Sequence, residues 1–141
     1  MTLHLEIVTP TKVILKEDDV TGVLAQTSEG EIGILPNHVG LLTKLKPGEL
    51  IVKRGNKKEA YAILGGFLEV SNNRVNILAD YAIRAEDIEI AEAQAAHERA
   101  KKILAEKKGN ADFVLAEADL RKSILELKIA KKYKPKLGRF S

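Results

Sequence analysis

No cysteine occurs in the 141 residues, which excludes disulfides, thiolate metal sites and a cysteine nucleophile. Tryptophan is absent too, and three Phe and three Tyr are too few for the aromatic platforms on which a sheet stacks RNA bases. The longest apolar runs, such as Ala60 to Leu68, fall far short of the roughly 20 residues of a membrane helix. The N-terminus has no basic stretch followed by an apolar core, so no secretory signal is read there. The expectation is a soluble, intracellular chain that meets a membrane only through partners. The glycines form neither a GxxxxGK pattern ending in Ser or Thr nor GxGxxG, so no phosphate-cradling loop is expected. His4, His38 and His97 lack the spacing of a helical metal pair, and no metal is expected. Asp18-Asp19 and Glu86-Asp87 read as turn or cap residues with no general-acid role. Neither a cofactor nor an enzyme activity follows.

What is present is unevenly distributed. The net charge of +3 hides a neutral stretch, 1–84, with ten Lys/Arg against ten Asp/Glu. Residues 85–120 hold five against nine, and 121–141 hold eight against one. Basicity therefore belongs to the C-terminal end alone. A small basic nucleic-acid-binding protein is the alternative this leaves open, and a low-salt pull-down with DNA or RNA distinguishes it.

Up to about residue 84 the pattern is one of short strands divided by turns. Leu3, Leu5 and Ile7 alternate with His4 and Glu6, the period-2 signal of a strand with one buried face. Val20 to Thr27, Glu49 to Lys53, Glu59 to Leu64, Phe67 to Val70 and Val75 to Leu78 are further candidates. Gly55-Asn56 and Asn72-Asn73 lie between such runs, where residues that accept positive φ close hairpins. Gly65-Gly66 reads as a bulge or tight strand corner. The fold class is α+β: an N-terminal β-sandwich or barrel at 1–85, a helical hairpin at 86–134 and a basic tail at 135–141.

After residue 86 glycine appears only at 109 and 138. Asp87 is the expected N-cap of a helix reaching Lys108, with Glu89 and Glu92 in its first turns and Lys101, Lys102, Lys107 and Lys108 near its end. Gly109-Asn110 breaks it. A second helix runs from about Asp112 to Tyr133, and Pro135 forbids continuation. So short a connection makes an antiparallel hairpin. Ala91, Ala95, Ala96 and Ala100 are the expected contacts on the first helix, against Phe113, Ala116, Leu120, Ile124 and Leu127 on the second. Val114, Ala118, Leu125 and Ile129 make a further stripe that one partner helix cannot cover. Either it rests on the β-domain or the helix exchanges one buried face for another.

Residues 28–48, Ser-Glu-Gly-Glu-Ile-Gly-Ile-Leu-Pro-Asn-His-Val-Gly-Leu-Leu-Thr-Lys-Leu-Lys-Pro-Gly, closely resemble the signature segment of F-type ATP synthase epsilon subunits. Gly65-Gly66-Phe67-Leu68-Glu69-Val70, continuing through Val75 to Asp80 and Arg84 to Asp87, resembles the end of that family's β-sandwich. Asn37 departs from its usual Gly and Leu64 from its usual Ser. The resemblance implies a non-catalytic central-stalk subunit with a sandwich of about ten strands that binds the gamma subunit and the c-ring. It also implies a mobile two-helix domain that, when extended towards the catalytic alpha and beta subunits, blocks ATP hydrolysis. Its place would be peripheral, on the cytoplasmic face of a bacterial plasma membrane. Glu31 and His38 match residues near the rotor contacts, and Arg121, Lys122, Lys128, Lys131 and Lys132 form the basic inhibitory helix. Some bacterial members bind ATP where this chain has Ile88, Glu89, Ala93 and Arg99. Here Glu89 replaces Asp and Glu92 replaces Arg, which sets a negative charge towards the phosphates, so no ATP binding is expected.

Overall fold

Leu3, Leu5 and Ile7 form a strand, β1 (Leu3–Val8), in which they are fully buried and His4, Glu6 and Val8 are half-buried. The computed structural model describes residues 1–106 and 110–133. Its first unit, Met1–Arg84, adds β2 (Val13–Val20), β3 (Gly22–Thr27), β4 (Gly30–Ile34), β5 (Leu41–Leu45), β6 (Gly48–Arg54), β7 (Lys57–Ile63), β8 (Gly66–Ser71), β9 (Arg74–Ala79) and β10 (Ala82–Arg84). They follow the order β10, β7, β6, β3, β5, β8, β9, β1, β2, with β4 paired to β3. Every pairing is antiparallel except β1 with β9, where Leu5 stands opposite Val75 and Ile7 opposite Ile77. The sheet closes over one apolar core, a ten-stranded β-sandwich, and the core cluster contains no residue beyond Ala82.

Two hairpins turn where the sequence places them. Asn72 and Asn73 both have positive φ, 50° and 61°, the geometry whose twist matches the flanking strands. Gly55 has φ 64° between β6 and β7. The Gly65-Gly66 corner is more demanding, with φ 113° and 122°. A Cβ on Gly66 would lie 2.0 Å from the Leu78 carbonyl oxygen, so only glycine lets β8 meet β9 there.

Polar groups tie β2 to the other end of the sheet. The Arg54 guanidinium on β6 binds Asp19 (3.0 Å), Glu17 (3.1 Å) and Glu59 (2.8 Å). Glu59 also accepts from Arg84 (3.1 Å) and from the fully buried Tyr61 hydroxyl (2.9 Å). Burial pushes the Tyr61 phenol up to about 12. Burial pushes the Glu59 carboxyl up as well, but the hydrogen bonds from Arg54 and Tyr61 outweigh it and leave it below its ordinary value. On β2, Leu3 faces Val20 and Leu5 faces Glu17, so His4 alone opposes two residues, Asp18 and Asp19. That is a β-bulge.

The second unit opens with a 3₁₀ turn (Ala85–Asp87), one residue before the boundary read from the sequence. Two helices follow, α1 (Ile90–Glu106) and α2 (Asn110–Tyr133). Asp87 is not the N-cap, because it belongs to the 3₁₀ turn. The Glu89 carbonyl accepts the first helical bond, from Ala93 N at 2.9 Å, which makes Glu89 the capping position. The second helix starts two residues earlier than expected. Residues 107–109 and 134–141, with the lysine pair at 107 and 108 and the basic tail, lie outside the described residues.

The seam between the helices differs from the expected stripes. On α1 it runs through Ala93 and Ala100, both buried, while Ala91 and Ala95 are exposed. On α2 it runs through Ala116, Leu120, Ser123, Leu127 and Ala130, alternating steps of four and three, the 3.5-residue period that keeps one face towards a partner. Ile124 falls off that period and is exposed, as are Val114 and Ala118, while Phe113 continues the period one step earlier but is also exposed. Ser123 is tolerated in the seam because its hydroxyl donates to the Leu120 carbonyl at 2.9 Å. The α1 positions in this seam are both alanine, and on α2 alanine and serine alternate with Leu120 and Leu127.

Candidate partner-binding surfaces

The segment between β4 and β5, 35–40, is a loop held firmly at its base. Asn37 has φ 70°. Its backbone amide donates to Asn73 Oδ1 at 2.6 Å, and its side-chain amide reaches Met1 Sδ at 3.4 Å. These bonds fasten the loop to the β8–β9 turn and to the start of the chain. His38 Nδ1 lies 2.7 Å from the Val39 carbonyl. A carbonyl only accepts, so Nδ1 carries a proton and donates to it. Leu35 and Val39 beside it are 63% and 77% exposed. A fixed loop that presents two aliphatic side chains to solvent on either side of a half-buried imidazole has the character of a contact surface.

Glu31 lies elsewhere. It follows the Thr27–Gly30 turn at the start of β4, where its exposed carboxylate accepts from Gln26 Nε2 at 2.6 Å. His38 lies beyond the far end of the same strand, so β4 separates the two expected rotor contacts instead of joining them.

A second surface was not singled out from the sequence. Across the outer face, Lys44 pairs with Phe67, Phe67 with Leu78, Leu78 with Val8 and Val8 with Val13. Phe67, Leu78 and Val13 are 52%, 59% and 60% exposed. The signal was available: if Leu68 and Ile77 face the core, alternation turns Phe67 and Leu78 outwards.

The four positions matched to nucleotide binding lie on α1 and on the segment just before it. Ile88 and Ala93 are buried, and Ala93 belongs to the helix seam. Glu89 and Arg99 are exposed, but Arg99 stands nine residues into α1, roughly 14 Å along its axis at 1.5 Å per residue. An open groove there is lined by Glu98, Arg99, Lys101 and Lys102.

On α2, Arg121, Lys128, Lys131 and Lys132 are exposed and Lys122 is half-buried. Arg121 binds Glu117 at 2.8 Å, an i, i+4 pair, and the Lys132 ammonium lies 5.4 Å from the centre of the Tyr133 ring. Arg121, Lys128 and Lys132 recur at i, i+7 and i+11 and share one face. Lys131 and Lys132 close the last turn, where the helix dipole favours cations. Among the described residues no three His, Asp or Glu side chains are grouped to hold a metal ion, and no helix is long and apolar enough to cross a membrane.

Comparison with known proteins gives this arrangement a family. Residues 2–85 match the family described as ATP synthase, Delta/Epsilon chain, beta-sandwich domain. The chain is 43% identical over 136 residues to the ATP synthase epsilon chain of Chloroflexus aggregans, covering 96% of this chain and 97% of that one. It is 45% identical over 130 residues to the epsilon chain of Syntrophobacter fumaroxidans, covering 92% and 96%. A chain in the OSCP/F1/c-ring structure of Euglena gracilis mitochondrial ATP synthase superposes with a TM-score of 0.69 at 30% identity, over 85% of this chain and 76% of that one. A chain from the central stalk and c-ring of the Tetrahymena thermophila enzyme shares the fold, with a TM-score of 0.58 at 20% identity over 92% and 97%.

Proposed function

This chain belongs to the ATP synthase delta/epsilon family, and from that premise we propose that it is the non-catalytic epsilon subunit of a rotary ATP synthase, joining gamma to the c-ring in the central stalk. The fixed loop 35–40 is the observation that carries the reading. It offers Leu35, His38 and Val39 on a rigid base, as a part that transmits torque requires, and a match over nearly the whole chain supports the same role. Glu31 and His38 are the polar members of the rotor contacts, on two separate parts of the sandwich. The subunit is peripheral and reaches the cytoplasmic face of a bacterial plasma membrane through its partners.

The helical unit is the regulatory part. Extended towards alpha and beta, α2 would offer Arg121, Lys122, Lys128, Lys131 and Lys132 to acidic segments of the catalytic subunits and restrain hydrolysis. The test is the ATP hydrolysis rate of reconstituted complex across a salt series, with Lys128, Lys131 and Lys132 changed together to Glu. Exposed ion pairs contribute ~0.2–1 kcal/mol each, so three reversals should weaken docking by roughly 1–3 kcal/mol and relieve inhibition most at low salt. Binding to gamma should be unaffected. Equal inhibition by both proteins at low salt would leave the basic face as solvated surface.

The isolated subunit is expected to bind no ATP at micromolar concentration, since Glu92 repels phosphate. A saturable calorimetric isotherm with ATP would refute this.

A further inference from the structure

Of the two histidines in the sandwich, His4 alone has a carboxylate at each ring nitrogen. Nδ1 meets Asp18 Oδ1, and Nε2 lies 3.2 Å from Glu6 Oε1. A neutral imidazole carries one N–H and one lone pair, so it can donate to only one of these carboxylates. The imidazolium donates to both. The backbone beneath the ring is fixed from the other side, since His4 N donates to the Asn73 carbonyl at 2.9 Å.

Asp18 sits in the β-bulge, where the ladder between β1 and β2 is interrupted and a side-chain bond replaces backbone pairing. Its neighbour Asp19 is held by Arg54 on β6, at 3.0 Å through Nε and 3.3 Å through Nη2. Each bulge carboxylate thus has its own cation. Arg54 keeps its charge at any ordinary pH, whereas a histidine does not.

We propose that His4 and the Asp18-Asp19 bulge form a proton-operated latch on strand β2. With the ring protonated, His4 bridges Glu6 and Asp18 and holds the bulge against β1. When the ring loses its proton, its single N–H serves Asp18 or Glu6 but not both, and while it serves Glu6 the bulge is held by Arg54 alone. Because β2 ends the strand order, this opening is local and need not unfold the core.

Three charged groups act on the ring, and a fourth, Lys16, reaches it through Glu6. Glu6 on β1 and Asp18 on β2 favour the imidazolium. Arg74, opposite His4 on β9, disfavours it, and Lys16 on β2 competes for Glu6 at 3.7 Å. The Asp18 bond and then the Glu6 bond prevail over burial and Arg74 and raise the His4 pKa above its ordinary value. The bond to His4 likewise leads in lowering Asp18 and Glu6. A raised folded-state pKa means that the latch is fully engaged below the unfolded value, about 6.5, and lost as pH rises through the folded value. On the acid side it is lost as the two carboxylates protonate, below their ordinary range.

The experiment uses the full chain. Histidine ring signals are followed by NMR from acid to mildly alkaline pH, with His4 assigned by its disappearance in His4→Gln. Amide exchange in 16–20, corrected for intrinsic rates, is measured over the same range. The His4 midpoint should lie above 6.5, and protection across the bulge should fall about tenfold for each unit of the rise. His4→Gln should abolish that pH dependence, and Asp18→Asn should bring the His4 midpoint back towards 6.5. A midpoint at or below 6.5, or the same pH-dependent loss of protection in His4→Gln, overturns the latch.

Discussion

Gly66→Ala should cost the sandwich at least about 3 kcal/mol, because left-handed strain and a clash with backbone add together. A Cβ there would stand 2.0 Å from the Leu78 carbonyl oxygen and 2.8 Å from Ala79 Cα, and neither atom can turn aside as a side chain would. At about 4–8 °C per kcal/mol for a domain of this size, the thermal midpoint should drop by more than about 10 °C. Gly55→Ala is the matched control. It also has positive φ, 64°, but nothing lies within 4 Å of the added carbon, so it should cost only about 1 kcal/mol. Calorimetry of both variants decides the matter, and equal midpoints would mean that the corner at Gly65-Gly66 relaxes freely.

Ending the chain after Arg84 should leave a folded sandwich that still binds gamma, while removing every restraint that the helices exert. The core cluster has no residue beyond Ala82, and Arg84 itself is retained, with its bonds to Glu59 and to the Tyr61 hydroxyl. Complex rebuilt with the shortened subunit should hydrolyse ATP at least as fast as the original and still support synthesis. A shortened chain that shows no cooperative unfolding, or fails to assemble with gamma, would show that the two units do not divide the work in this way.

The parts of the fold legible in the sequence were those where one local rule decided the outcome. Alternation gave β1, and the Asn72-Asn73 and Gly55-Asn56 pairs gave their turns. Other strands were hidden for physical reasons. The strand β2 spends Lys16, Glu17, Asp18 and Asp19 on exposed bonds and a bulge, β4 has two glycines in five residues, and β10 is three residues long. Val20 to Thr27, read as one strand, breaks at Thr21 between β2 and β3. In the helices, apolar residues outnumber seam positions, so composition could not choose between Ile124 and Ser123. The alternating period of the packed face does. The candidate contact residues were less legible still. Glu31 and His38 came from family resemblance alone, and exposure then added Leu35, Val39 and the Phe67–Leu78 row.

The parallel pairing of β1 with β9 has a consequence for how the chain is made. Its partners lie 70 residues apart, as His4 and Arg74 do, and at ~5–20 residues per second a ribosome needs roughly 4–14 s to supply the second after the first. Throughout that interval β1 has only β2 to pair with, because its parallel partner β9 does not yet exist. Closure of so long a loop is the slow kind of folding event. Strand β1 therefore emerges with three apolar side chains in waiting, a natural client for whatever chaperone stands at the exit tunnel.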